Sequence, residues 1–168
     1  MQSLSIISGG QSGVDRAALD VAMELEVPCG GWCPQGRLAE DGTIDARYPL
    51  KETATTDYTQ RTQCNVEDSD ATVVVYFDQL EGGTKLTVEF CHQAHKPMLL
   101  IDANAQGFSV AVDRLLDFIR DYKPHRLNIA GPRASKQSAA YAYTKALLTA
   151  CLTQLQITLM ATKPTADA

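Results

Sequence analysis

Leu4-Ser5-Ile6-Ile7-Ser8-Gly9-Gly10-Gln11-Ser12-Gly13-Val14 is the stretch that decides the fold. A short apolar run, Leu4 to Ile7, is followed by three glycines. Beyond them Val14, Ala18, Val21, Ala22 and Leu25 recur on one helical face. The pattern predicts a strand, a glycine turn and an amphipathic helix, the opening of a right-handed βαβ unit. A turn of this kind frees backbone N–H groups, and the following helix dipole adds partial positive charge, so an anion is attracted there. Gly10 suits close backbone approach to such an anion, and Gly13 suits close packing of helix on strand. Two features depart from a nicotinamide-binding loop. Ser8 replaces the first glycine of the fingerprint, and no acidic residue follows the second strand to hold a ribose hydroxyl. The absence of a Gly-Lys-Ser/Thr step excludes an ATP-type phosphate loop. The plainer alternative, a turn that serves packing alone, stays open at this point.

Working outward, Pro28 stops the first helix and Cys29 to Cys33 reads as a brief second strand weakened by Gly30 and Gly31. From Pro34 to Asp57 no periodicity is visible. That length exceeds the roughly 12 to 15 residues of ordinary structureless connections, which reads as a functional lid. A short helix is expected over Tyr58 to Val66. Ala71 to Phe77 is a continuous β-branched and aromatic run, typical of a strand buried on both faces in the middle of a sheet. Gly82-Gly83-Thr84 opens a helix with Leu86, Phe90 and Ala94 inward, and Met98 to Ile101 is another strand. Val112, Leu115, Leu116 and Ile119 stripe a further helix. Leu127 to Ala130 is the last strand, from which Gly131-Pro132-Arg133 leads into a terminal helix. The alternation predicts an α/β, Rossmann-like three-layer sandwich: a mostly parallel sheet with helices on both faces, in one domain spanning residues 1–168 with a frayed tail at 163–168.

The 168 residues are 45% hydrophobic, enough for a core without cross-links. Fifteen basic against twenty acidic side chains give a net charge of -5, which opposes binding to nucleic acid or an anionic membrane surface. An anionic ligand must therefore be small and held by local donors. No basic n-region or cleavage site precedes the first strand, and the five cysteines form no disulfide framework, so a cytoplasmic protein with reduced thiols is expected. Ala146 to Thr162 is uncharged but carries Thr and Gln and is shorter than the roughly 20 apolar residues of a membrane span, so it reads as a buried or interface helix.

Two further glycine turns share the setting of the first. Gly82-Gly83-Thr84 follows a strand, with Thr84 able to cap the helix or bond a ligand oxygen. Gly131-Pro132-Arg133-Ala134-Ser135 follows the last strand, with Arg133 suited to a bidentate oxyanion pair. Parallel strands open at one edge, so the three turns are expected to converge on a single crevice at a topological switch point. Arg16, Arg37, Arg47 and Arg61 lie near the first loop or in the long connection and are each read as either ligand-neutralising or solvated, with Arg61 favoured for a site. Cys29-x3-Cys33 with His92-x2-His95 has zinc-like spacing, but nothing in the sequence brings the two pairs together. No catalytic constellation is recognisable.

With these loops in hand, SGGQSGVDRAALDVA from Ser8, GGWCPQGRLAEDGTI from Gly30, YPLKET from Tyr48, RTQCNVEDSDAT from Arg61, EGGTKLT from Glu81 and LNIAGPRASK from Leu127 together give a resemblance along most of the chain. The sequence resembles the molybdenum carrier and molybdenum cofactor carrier proteins, within the wider group related to the lysine-decarboxylase-like LOG proteins. The resemblance implies a Rossmann-like fold and a homo-oligomer, a dimer or tetramer. It also implies a carried ligand, the molybdenum cofactor (molybdopterin): a phosphorylated pterin dithiolene bearing oxidised metal. Molybdate alone and a nucleotide are the other ligands in view. Molybdoenzymes or cofactor-synthesis proteins are the implied partners. By similarity, Gly9, Gly10, Gln11, Ser12 and Gly13 form the anion loop, and Gly82, Gly83, Thr84, Thr87, Arg133 and Ser135 are further contacts. Arg61 joins them as a candidate, and the segment with Trp32, Pro34, Gly36 and Arg37 closes over or borders the ligand. At Gln63 and Cys64 the sequence departs from the acidic and aromatic residues of the family.

The alternative is a LOG-like nucleoside monophosphate phosphoribohydrolase, whose signature places a catalytic Glu three residues after a Thr. Here Thr87 holds that position relative to Thr84, and Glu89 is turned about 200° around the helix from it. A carboxylate that stabilises a sugar cation must be within hydrogen-bond reach, so the displacement argues for binding and carriage rather than hydrolysis.

Overall fold

The computed structural model describes residues 4–161, so the tail expected at 163–168 lies outside the described residues. Along the chain run β1 (Ser5–Ile7), α1 (Val14–Glu24), β2 (Cys29–Cys33), β3 (Leu38–Ala39), β4 (Gly42–Thr43) and β5 (Leu50–Glu52). They are followed by α2 (Tyr58–Glu67), β6 (Ala71–Tyr76), α3 (Gly82–Gln93), β7 (Met98–Asp102), α4 (Phe108–Tyr122), β8 (Arg126–Ala130) and α5 (Ala140–Ala161). Six strands form one sheet in the order β5-β2-β1-β8-β6-β7, with every adjacent pair parallel. Helix α5 packs against both α1 and α4, and α2 packs against α3. These two groups are the outer layers of an α/β, Rossmann-like three-layer sandwich.

Each layer follows from its residues. Ala71, Thr72, Val73, Val74 and Val75 are all buried because β6 is paired on both sides, with Val73 opposite Leu99 of β7 and Ile129 of β8. Branched side chains pack densely on such a doubly covered strand. On α4, Ala111, Val112, Leu115, Leu116, Phe118 and Ile119 face the core. α5 buries Leu147, Leu148, Cys151 and Leu152 over α1 and α4, so the apolar stretch near the C-terminus covers the sheet layer. Among the described residues no helix is long and apolar enough to cross a membrane.

The segment 34–57 differs from its expected structureless form. It carries the two-residue strands of a small hairpin, β3 with β4, and it supplies the edge strand β5, which pairs with β2. Ile44 and Tyr48 are buried with Leu19 and Cys33 in a second, smaller core. Arg37 holds the turn together by donating to four carbonyls, those of Ile44, Asp45, Tyr48 and Leu50. Strands of two or three residues are too short for alternation to register, which is why the sequence shows none of this. The terminal helix starts at Ala140, after a loop that follows β8.

Lys96 fixes the other helical layer to the sheet. Its Nζ donates to the carbonyls of Val66 and Glu67 at the C-terminal end of α2, where the helix dipole is negative, and to that of Ser69 just beyond the helix. Lys96→Met retains the stem and removes the donors. It is expected to lower unfolding free energy by about 1–3 kcal/mol, read by denaturant titration, with unchanged m-value.

Candidate functional site

β1, β8 and β6 are neighbours and parallel, so their carboxyl ends open at the same edge. From there α1 leaves β1 in one helical layer and α3 leaves β6 in the other, which parts the loops and leaves a crevice of about 630 Å³ between them. The exit of β1 contributes Gly9 and Gln11, with Asp15 from the first turn of α1. The exit of β8 contributes Gly131, Pro132 and Arg133, followed by Lys136 and Gln137. Tyr76, Phe77 and Asp78 come from β6 and its exit, and Gly82, Gly83, Thr84 and Thr87 from α3. Tyr58, Arg61 and Asn65 of α2 close the remaining side. The volume falls in the range of small-molecule and cofactor sites.

Two glycines give the crevice its walls. A Cβ on Gly9 would lie 1.7 Å from Nη1 of Arg61, so the bare backbone there is what admits the guanidinium. Gly13 has φ of 83°, and a Cβ on it would meet the Pro132 carbonyl at 2.5 Å and the Ala134 nitrogen at 2.9 Å. The first and third loops therefore touch backbone to backbone, and Val14 N–H donates to the Pro132 carbonyl at 3.2 Å.

Glu40, at the turn of the β3–β4 hairpin, ties these loops together from outside. Its carboxylate accepts from the Ser12 and Ser135 hydroxyls and from the Ser135 N–H at 3.0 Å, with Nε of Arg133 at 3.7 Å. The Glu40 N–H donates to Oε1 of Gln11 at 2.9 Å, and the same oxygen accepts from Ser12 N–H at 3.0 Å. Desolvation pushes the Glu40 carboxyl upward, but the Ser12 and Ser135 hydrogen bonds and the Arg133 charge outweigh it and hold the group below its ordinary range.

Asp15 is the strongest electrostatic feature that sequence reading missed. It is 5% exposed and accepts from Nη1 of Arg61 at 2.6 Å. Burial pushes its carboxyl up despite the Arg61 charge and hydrogen bond. An acidic residue in a first helical turn is ordinary, so only the approach of α2 singles it out. Asn65 was missed as well. Its amide donates to the Trp32 carbonyl at 3.0 Å and accepts from Trp32 N–H at 2.8 Å, joining α2 to β2 beside the crevice.

Of the residues expected at a site, Gly9, Gln11, Arg61 and Arg133 border the crevice. So do Gly82, Gly83, Thr84 and Thr87. Thr84 does not cap α3, whose N-cap is Glu81. The rest are placed elsewhere. Gly10 backs onto Leu50 and Ile44 of the long segment, and Gly13 onto the third loop. Ser12 and Ser135 are engaged with Glu40. Nε1 of Trp32 donates to Asp68 at 2.6 Å, away from the crevice lining, and Arg37 is fully occupied by the turn it braces. The long segment thus buttresses the first loop from behind rather than lining the crevice. Glu89 is exposed and outside the lining. Among the described residues no group of three or more His, Cys, Asp or Glu is gathered to hold a metal ion, and the Cys29/Cys33 and His92/His95 pairs stay apart.

The depressed Glu40 gives a stability contribution that is present above the unfolded carboxylate value and lost as pH falls through the lower folded value. Glu40→Gln is therefore expected to cost about 1–2 kcal/mol at pH 7. The gap in melting temperature between the two proteins should narrow below about pH 4 and close once Glu40 is protonated. Calorimetry across that range checks it, and a gap independent of pH would refute the clamp.

A sequence model of the circularly permutated YpsA SLOG family matches residues 6–152. No curated protein matches the chain. A 1.45 Å crystal structure of a "putative molybdenum carrier protein" from Syntrophus aciditrophicus SB superimposes with a TM-score of 0.88 at 44% sequence identity. The match covers 89% of this chain and 95% of that one. The matched span runs from β1 into α5 and takes in every wall of the crevice, and the chain belongs to the circularly permutated YpsA SLOG family.

Proposed function

We propose that the chain is a carrier that holds the molybdenum cofactor, or a related small oxyanion, in the crevice. The phosphate of that cargo rests on backbone amides of the glycine turns, and its oxidised, oxoanionic end lies near an arginine or hydroxyl. The observation that carries this reading is the meeting of three separate glycine turns in one crevice of cofactor size. The 44% identical neighbour named as a molybdenum carrier supports it. A homo-oligomeric, cytoplasmic carrier that passes its cargo to molybdoenzymes or cofactor-synthesis proteins completes the proposal.

Charge placement supports an anionic ligand despite the acidic chain. Three cations (Arg61, Arg133 and Lys136) and three acids (Asp15, Asp78 and Glu81) border the crevice, so no net field draws an anion in. The two signs are segregated. Arg133 and Lys136 follow β8, whereas Asp78 and Glu81 lie in the connection from β6 to α3. An anionic end is favoured on the β8 side, and a ring bearing N–H groups is favoured against Phe77 and Tyr76 on the other. The hydrolase alternative needs a carboxylate at the Thr87 position of the crevice, where a threonine stands, with its hydroxyl donating to the Gly83 carbonyl at 2.9 Å.

Gly83 offers the cleanest test, because a Cβ there meets nothing within 4 Å while the residue borders the crevice. Wild-type protein purified from cofactor-competent cells is expected to carry both molybdenum and oxidised-pterin fluorescence. Gly83→Leu should carry less than about a tenth of each with an unchanged melting temperature. Molybdenum without pterin indicates oxyanion storage. Neither signal, together with release of free base from AMP, overturns carriage in favour of hydrolysis.

A further inference from the structure

Arg61 is unlike the other cations of the crevice. Its side chain is 11% exposed, against 45% for Arg133, so its charge acts through less solvent. The guanidinium slides over the bare backbone of Gly9, and its carbon lies 5.8 Å from the centre of the Tyr58 ring. Nη1 is engaged by Asp15, whose side chain is 7% exposed. The buried Nε has no hydrogen-bond partner among the described residues. Nε and Nη2 form the side-on edge of a guanidinium, two parallel donors that match two oxygens of a tetrahedral anion. A buried donor left unpartnered destabilises a fold and calls for an explanation. Here the residue that bears it borders the crevice.

We infer that the side-on edge of Arg61 is the principal receptor for a tetrahedral oxyanion in the crevice, and that Asp15 is the positioning residue that holds the guanidinium in register for it. The inference rests on the carrier reading for the crevice but not on the identity of the cargo. Asp15 keeps Nη1 fixed from the α1 side, which leaves the other edge for the ligand. It also compensates a cation that would be costly to bury alone. The same chemistry serves a phosphate monoester or a metal-oxo group.

Calorimetric titration of the whole chain with inorganic phosphate and, separately, with molybdate tests this. Arg61→Lys keeps the charge and the pairing with Asp15 but has no fork. It is expected to bind at least one of the two anions about tenfold more weakly, with an unchanged melting temperature. Loss in the phosphate arm alone assigns the fork to the phosphate end of the cargo, and loss in the molybdate arm alone assigns it to the metal-oxo end. Wild-type-like binding of both anions by the lysine variant, or no binding of either by the wild type, overturns the inference. Asp15→Asn retains an acceptor and should bind within about threefold of wild type. Asp15→Leu removes the acceptor and should lose about tenfold, although the site becomes more positive. Equal or tighter binding by Asp15→Leu, or no difference between the two Asp15 variants, overturns the positioning role. A chain that purifies without molybdenum or pterin yet binds phosphate through Arg61 refutes carriage alone. One that retains both with Arg61→Lys unimpaired refutes the fork alone.

Discussion

The contact between Gly13 and the Pro132 carbonyl sets the geometry on which the crevice depends. β8, the last strand in sequence, lies between β1 and β6, and the loops leaving β1 and β8 must pass each other at backbone distance. Any side chain at position 13 would separate them. Because they touch, Gly9 and Gln11 of the first loop and the cations after β8 border one volume instead of two. Glu40, which does not itself border the crevice, adds a second tie across the same loops from the hairpin.

The long segment between β2 and α2 acquires its meaning from that arrangement. It contributes an edge strand, a hairpin whose turn carries the Glu40 clamp, and the buried Ile44 and Tyr48 that press on Leu19 of α1. Arg37 is consumed in shaping it. The segment supports the first loop from behind, through Leu50 and Ile44 against Gly10 and through the Glu40 bonds to Gln11 and Ser12.

The electrostatic design is local. A chain of net charge -5 presents a crevice with balanced charges, and binding of an anion must come from donors aimed at short range. The crevice pairs a desolvated cation, Arg61 held by Asp15, with a more exposed and therefore more screened one, Arg133. Segregation of Asp78 and Glu81 from Arg133 and Lys136 gives the crevice a direction that its overall neutrality conceals.

Much of the fold was legible because hydrophobic periodicity is a local property. The β-branched and aromatic run at Ala71 to Phe77, the stripe on α4 and the glycine turn after β1 each announce themselves within a few residues, and parallel α/β geometry then places strand ends on one edge. The gathering of the three glycine turns at one crevice followed from the same logic, since turns at parallel strand exits lie on a common edge. What stayed hidden depends on partners distant in sequence. Asp15 meets Arg61 across 46 residues, and Ser135 meets Glu40 across 95. Nothing near Ser12 shows that its hydroxyl is already engaged, and nothing near Arg37 or Trp32 shows that they serve loop and helix rather than ligand. The sequence by itself determined the layers, the strand polarity and the positions of the glycine turns, because these follow from side-chain pattern and backbone freedom. Only the tertiary structure decided which donors remain uncommitted at the crevice, because a hydrogen bond between two elements exists only once packing has set the distance between them.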